Sequence, residues 1–496
     1  MKKLFFLFLI TISISINAQH DKRTLPVDTV VESKHSTTIN GKAIKYTAQT
    51  GTQPLWSADG LPIASLFYTY YKRDLPGDVS DRPLVISFNG GPGSASVWMH
   101  IAYTGPKVLN IDDEGYPVQP YGVKENPYSI LDVADIVFIN PVNTGYSRLI
   151  ENDGKTADRK QFFGINADIK YLAQWLTTFM TRNNRWLSPK YLIGESYGGT
   201  RVSGLALALQ DQQWMYLNGV ILVSPADYKS YAADNAISSA LNLPYMAATA
   251  WHHNLLPKEL QSKDLLDVIP EVEDFAVNTL MPALAKGGFI SDEERSSVAK
   301  KMSYYSTISE RAILQHNLDV PTRFFWKELL RDESGYTVGR LDSRYLGLDR
   351  SEAGSSPDYN AELKSWLHSF TPAINYYIRE ELKFKTDVPY AMFGDVHPWD
   401  KQNDNTRDDL RQAMAQNPYL NVMFQSGYYD GATTYFNAKY TMWNIDPSGR
   451  MQDRLSFKGY RSGHMMYLRR EDLKTANDDL RTFILNSSNT GKSAKY

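Results

Sequence analysis

The stretch Tyr191-Leu-Ile-Gly-Glu-Ser-Tyr-Gly-Gly199 constrains the fold more than any other part of the chain. An apolar run reads as a buried strand, and Gly194-Glu195-Ser196-Tyr197-Gly198 follows it directly, ahead of a helix-like segment. Serine between two glycines at this spacing suits a sharp strand-to-helix turn, because small flanking residues let the backbone fold back while the hydroxyl projects. A nucleophile is presented in this way. The same pattern also arises in plain flexible loops, so the surrounding sequence has to decide.

With 496 residues the chain has ample material for a large core. Its formal net charge of -2 and lack of a basic stripe argue against nucleic acid as a partner. The absence of cysteine excludes disulfides, thiolate zinc sites and a lipid-modified cysteine at a signal junction. At the N-terminus, Lys2 and Lys3 precede an uncharged run from Leu4 to Ile16 and then Asn17-Ala18-Gln19, the three regions of a secretory signal. We read residues 1–18 as that signal and the mature chain as exported, periplasmic or secreted. A membrane anchor is the other reading, but a span needs roughly 20 apolar residues. No later segment is long and apolar enough to cross a bilayer, so no integral span is expected after cleavage.

Residues 35–73 read as antiparallel, with Asn40-Gly41 as a two-residue hairpin signal. Short apolar runs at Leu84–Phe88, Asp135–Ile139, Tyr191–Ile193, Gly219–Val223 and Asn421–Phe424, each bounded by turn residues, read as buried parallel strands. Between two of them, Ile169, Leu172, Leu176 and Phe179 recur with helical period. This alternation predicts an α/β fold with a doubly wound, mostly parallel sheet. From 227 to 417 it gives way to helical, aromatic-rich sequence, with a capping box at Ser291 and Glu294 after a helix ending near Gly287-Gly288. We read that stretch as a helical cap inserted between a first core part, 19–226, and a second, 418–486, with a polar tail at 487–496.

Four elements converge on acyl transfer. Asn89-Gly90-Gly91-Pro92-Gly93-Ser94 follows a strand, and consecutive glycines there let backbone N–H groups approach a ligand oxygen, as an oxyanion hole requires. The rival phosphate-loop reading lacks the Lys-Ser/Thr pair. Ser196 is the second element, Asp430 after the resumed strand the third, and His464 beyond the strand Leu455–Lys458 the fourth. Serine needs a base to take its proton, and the base needs a carboxylate to fix its tautomer. The chain order Ser, Asp, His is that of α/β-hydrolases. Among the competitors, His252 and His253 precede no matching strand edge, and His397 precedes Pro398 in a loop. No His-Glu-x-x-His or cysteine pair suggests a metal centre, and Asp404–Asp409 fits a helix start at Thr406 better than a calcium site.

These segments, together with Asn126-Pro-Tyr-Ser129 and Asn140-Pro-Val-Asn-Thr-Gly-Tyr-Ser147, resemble the serine carboxypeptidase family in content and in order. The resemblance covers most of the chain after residue 35 and is weakest in the helical stretch. It implies the α/β-hydrolase fold with an inserted helical cap, a triad of Ser196, Asp430 and His464, and an oxyanion hole from the backbone N–H groups of Gly91 and Tyr197. It further implies release of C-terminal residues from peptides, the free carboxylate being bound by the Asn89 amide and a protonated Glu195, and an acidic working pH. No cofactor is implied. The sequence departs from the family pattern at Ser87, where a tryptophan is common, and at Tyr103, which aligns with a second glutamate and whose hydroxyl can still donate. An esterase or acyltransferase on the same machinery, or a catalytically silent peptide- or glycan-binding protein, are the alternatives to an exported carboxypeptidase.

Overall fold

The computed structural model describes residues 23–77, 81–226, 236–402, 406–488, 491 and 493–495. The signal read at 1–18, the start of the helical stretch at 227, Asp404 and part of the polar tail lie outside the described residues. The strands are β1 (Thr29–Ile39), β2 (Lys42–Trp56), β3 (Pro62–Arg73), β4 (Leu84–Phe88), β5 (Asp135–Ile139), β6 (Lys190–Glu195), β7 (Gly219–Val223), β8 (Asn421–Gly427) and β9 (Leu455–Tyr460). The main helices are α1 (Ile165–Arg182), α2 (Tyr197–Gln213), α3 (Ala236–His252), α4 (Asp292–Ser306), α5 (Ala361–Tyr376), α6 (Thr406–Gln416), α7 (Tyr435–Ile445) and α8 (Arg470–Ser487).

One sheet runs in the order β1-β2-β3-β5-β4-β6-β7-β8-β9, with the short strand Arg148–Leu149 also on β3. From β5 to β9 every neighbouring pair is parallel, whereas β1, β2 and β3 are antiparallel. The first hairpin turns at Asn40-Gly41, both with positive φ (46° and 76°), as a tight two-residue turn matched to strand twist demands. The chain leaves β4 for β5 on one side and later returns as β6 on the other, so the switch point of the sheet lies between β4 and β6. Ligands bind outside the carboxyl ends of strands at such a point.

Strands buried on both faces still send successive side chains to opposite layers. Tyr191, Ile193, Ile221 and Val223 join one core layer, covered by Trp366 and Phe370 of α5 and Leu480 and Ile484 of α8. Leu192, Val220 and Leu222 join the other, covered by α1, α2 and α6. In α1 the expected stripe is fully buried at Leu172, Leu176 and Phe179, each worth about 1.5–3 kcal/mol. Thus α5 and α6, read from sequence as part of the helical stretch, pack on the sheet layers. A separate apolar cluster from Ala240 to Val338 gives the rest of the stretch its own core.

The capping box forms by half. Ser291 Oγ accepts the Glu294 N–H at 3.1 Å, but the Glu294 carboxylate turns to Lys286 Nζ at 2.7 Å instead of back to the Ser291 backbone. Replacing Ser291 by Ala should therefore lower stability by about 1 kcal/mol, read as a lower urea midpoint, with Ser291→Asp retaining the cap.

Candidate active site

Ser196 sits between β6 and α2 with φ 58° and ψ -127°, a conformation that costs a non-glycine residue on the order of 1–3 kcal/mol. Its N–H donates to Val223 O at 3.0 Å, and its carbonyl accepts the N–H groups of Gly199 (2.8 Å) and Ala226 (3.2 Å). The turn admits no side chain at Gly194, where a Cβ would lie 2.1 Å from Gly198 O. The loop after β4 is pressed against the same turn, since a Cβ on Gly90 would stand 2.6 Å from Tyr197 N and 2.8 Å from Gly198 N. A buried pair holds that loop. Arg201 donates to Asp168 Oδ2 at 2.7 Å and to Asn89 O at 2.6 Å, and Tyr197 Oη donates to the same carboxylate at 3.1 Å.

Beyond β8, Asp430 is fully buried and surrounded by donors. Its Oδ1 accepts the N–H groups of Ala432 (2.8 Å) and Thr433 (3.1 Å), and its Oδ2 accepts the Thr433 hydroxyl at 2.6 Å and faces His464 Nδ1 at 2.7 Å. That partner assigns the imidazole proton to Nδ1 and leaves Nε2 to accept. Burial lowers the proton affinity of His464, but the charge and hydrogen bond of Asp430 outweigh it and raise its pKa above 6.5. The histidine backbone is fixed at both ends, N–H to Leu341 O (2.6 Å) and carbonyl from Ser224 Oγ (2.8 Å).

Ser196, His464, Glu195, Asn89 and Gly91 line one cavity of about 220 Å³, walled by Trp98, Trp366 and Phe393. Among the described residues no hydrogen bond joins Ser196 to His464. Such contacts often tighten only when substrate binds. The structure thus brings all the candidates except Tyr197 and Asp430 to the cavity wall, and those two stand directly behind Ser196 and His464. The competitors are elsewhere: His253 Nε2 lies 2.8 Å from Ser343 O and His397 is exposed.

Asn89 Oδ1 accepts the Met99 N–H at 3.1 Å, and its buried amide Nδ2 acts on the neighbouring Glu195 carboxyl and Tyr467 hydroxyl without a well-formed hydrogen bond to either. Beside it the buried Glu195 carboxyl is pushed up to about 7 by desolvation, against the opposing pull of His464 and of a hydrogen bond from Tyr467 Oη. The Tyr103 hydroxyl does donate, as expected, and its acceptor is Gln425 Oε1 at 2.8 Å. Tyr103 stacks on Tyr467, with centroids 4.7 Å apart and rings 9° from parallel. Tyr467 and the Arg201–Asp168 pair had no sequence signal. The two quoted motifs act as supports: Asn126 donates to Tyr103 O and Gly105 O, both at 2.8 Å, and Asn140 Oδ1 accepts Ser96 N–H at 2.8 Å.

The serine carboxypeptidase family profile matches residues 59–446. The chain belongs to the serine carboxypeptidase family. Serine carboxypeptidase-like 36 of Arabidopsis thaliana is 30% identical over 166 residues, 32% of this chain and 31% of that protein. The pheromone-processing carboxypeptidase KEX1 of Saccharomyces cerevisiae is 29% identical over 154 residues, 30% of this chain and 20% of that protein. The aligned parts are thus less than a third of either relative's length. The crystal structure of Kex1(delta)p, a prohormone-processing carboxypeptidase from Saccharomyces cerevisiae, superposes with a TM-score of 0.55 at 15% identity, covering 89% of this chain and 91% of that one. The α/β-hydrolase fold expected from the sequence is the fold the two share.

A hydrogen bond to a carboxylate favours the charged form, so Tyr467→Phe should raise the Glu195 pKa further, by about 1–2 units. The carboxyl infrared band of Glu195, followed against pH, would move to higher pH.

Proposed function

We propose that the protein is an exported serine-type carboxypeptidase, with Ser196 as nucleophile, His464 as general base and acid, and Asp430 orienting His464. Ser196 Oγ attacks the carbonyl of the last peptide bond while Nε2 takes its proton. The backbone N–H groups of Gly91 and Tyr197 receive the oxyanion. The same proton then goes to the departing amine, leaving an acyl-enzyme ester. Water attacks that ester, giving its proton to His464; the acyl–Oγ bond breaks as Nε2 returns that proton to Ser196 Oγ, and the shortened peptide leaves with a new carboxylate. Export rests on Lys2, Lys3 and the uncharged run after them. The helical stretch acts as a cap that shapes the substrate cavity.

The observation that carries this reading is the buried Asn89 Nδ2, which lacks a well-formed hydrogen bond, beside a Glu195 carboxyl that burial pushes up to about 7. An amide N–H and a carboxylic O–H side by side make a receptor for one carboxylate. An ester without a free carboxylate gives this pair no anion to receive, which favours peptidase over esterase action.

An N-blocked dipeptide with a free C-terminus should be cleaved far faster than its amide, and equal turnover of the two would count against the proposal. Ser196→Ala should lose about 10⁴–10⁶-fold in kcat, checked by product release. The signs of the pH limbs follow from the two groups. His464 must be neutral, so kcat/KM rises with pH through a pKa above 6.5; Glu195 must be protonated, so it falls as pH passes about 7. With the alkaline limb at about 7 and the acid limb raised by Asp430, the optimum lies above the acidic range implied by the family resemblance. Glu195→Gln, which donates at every pH, should abolish the alkaline limb.

A further inference from the structure

We propose that Arg340 determines specificity by receiving a carboxylate side chain of the substrate, so that the enzyme prefers an acidic residue beside the scissile bond. The proposal rests on the carboxypeptidase reading above.

Arg340 lies in the loop of a two-stranded ribbon, Thr337–Val338 paired with Leu346–Gly347. Its backbone is pinned against the reacting groups. Gly431 N–H donates to Arg340 O at 3.0 Å, His464 N–H donates to Leu341 O at 2.6 Å, and Leu341 N–H donates to Glu362 Oε1 at 2.9 Å. The Arg340 side chain is nevertheless exposed, and it lines the same cavity as Ser196, Glu195 and His464. Among the described residues its guanidinium has no hydrogen-bond or ion-pair partner. Four positions on, Arg344 is the opposite case, buried and saturated by Asp342 (3.0 and 2.7 Å) and Ser462 (3.1 Å).

Among the described residues no other arginine or lysine lines this cavity, and the one carboxyl in its lining, Glu195, is buried and held by Tyr467. Among the described residues the carboxyl that feels Arg340 is Glu362, behind the wall, whose burial pushes it up to about 7 and whose link to Arg340 is no hydrogen bond or ion pair; the Arg340 charge also lowers the proton affinity of His464. The substrate's terminal carboxylate already has Asn89 and Glu195 as receptors, which leaves Arg340 for a second anion. A guanidinium fork matches a carboxylate in two parallel hydrogen bonds. Because the side chain is partly in water, the preference should be modest, about 3–10-fold in kcat/KM.

Two pairs of N-blocked dipeptides with free C-termini test it: Phe-Glu against Phe-Gln for the departing residue, and Glu-Leu against Gln-Leu for the acyl residue. In wild type at least one acidic member should exceed its amide isostere by about 3–10-fold. Arg340→Gln should bring that ratio near one, and Arg340→Glu should favour Phe-Lys or Lys-Leu instead. Reading ratios within a pair cancels any loss of folded enzyme common to both members. Ratios that stay the same in both variants overturn the proposal. So does an equal loss on the acidic and neutral members that is absent for their C-terminal amides, which would assign Arg340 to the terminal carboxylate. If wild type cleaves none of the four peptides, nor a blocked Phe-Leu, the carboxypeptidase reading itself falls, and the proposal with it.

Discussion

The left-handed backbone of Ser196 depends on two loops meeting with no side chain between them. A Cβ at Gly194 or Gly90 would stand 2.1 or 2.6 Å from backbone atoms, so the turn after β6 and the loop after β4 make one unit. That contact alone would leave the β4 loop free to slide. The Arg201–Asp168 pair prevents this from beneath, at 0% and 1% exposure of the two side chains. Burying both charges brings a large desolvation penalty, which their hydrogen bonds to Asn89 O and from Tyr197 Oη help to offset. Removing one partner would strand the other charge in the core, a loss of about 3–5 kcal/mol. Strain at the serine is thus sustained by a rigid, fully paired support.

Two carboxyl groups flank one imidazole, and their surroundings assign them different work. Asp430 has two N–H groups and one hydroxyl aimed at it, besides the imidazole, as a negative acceptor requires. Glu195 has one well-formed donor, the Tyr467 hydroxyl, and a weaker contact from the Asn89 amide, in a buried setting that pushes its pKa up to about 7. Because burial raises Glu195, Asp430 raises His464 and the two groups feel each other, the state with a neutral pair competes with its tautomer, Glu195 ionised and His464 charged. Both contain the same number of protons. In the proposed mechanism only the first can take the Ser196 proton and donate to a substrate carboxylate. A substrate carboxylate placed against Glu195 would select that tautomer, since it repels an ionised glutamate, so under that proposal peptide binding itself readies the base.

Much of this was legible in the sequence. Strands β4, β5 and β7 run over the residues expected of them, and β6, β8 and β9 extend the expected runs by one to three residues at an end. Buried strands bounded by glycine and proline leave a clear trace, and residues at their carboxyl ends converge because parallel strands share an edge. Partnerships made across layers leave none. Tyr467 could not be found from its neighbours, because its hydroxyl meets Glu195 through a ring stacked on Tyr103, from a segment 364 positions away in numbering. Tyr103, which stands where a glutamate is expected, marks the neighbourhood and does donate, to Gln425, but nothing in the sequence marks the ring stacked on it as the donor to Glu195. Likewise Asp168 sits next to Ile169 on the buried side of an ordinary amphipathic helix, and only the fold reveals Arg201 opposite it. Helices α5 and α6 read like their neighbours in the helical stretch, since an apolar stripe does not say which layer it will cover.

The ribbon loop at Arg340–Asp342 ties the helical stretch to the chemistry more tightly than a lid would need. It accepts the backbone N–H groups of Gly431 and His464, and a Cβ on Gly463 would come within 2.4 Å of Asp342 Cβ. Ser343 N–H in turn donates to Tyr429 O at 3.0 Å, beside Asp430. The proposed base and its carboxylate are therefore held from above by this loop as well as from below by the sheet. The loop is itself anchored by Glu362, a buried carboxyl that desolvation pushes up to about 7 and whose second oxygen has no partner. Changing specificity by rebuilding the backbone of this loop would disturb the imidazole it holds. Side chains that leave a pinned backbone toward the cavity, as Arg340 does, can change while the base stays where it is.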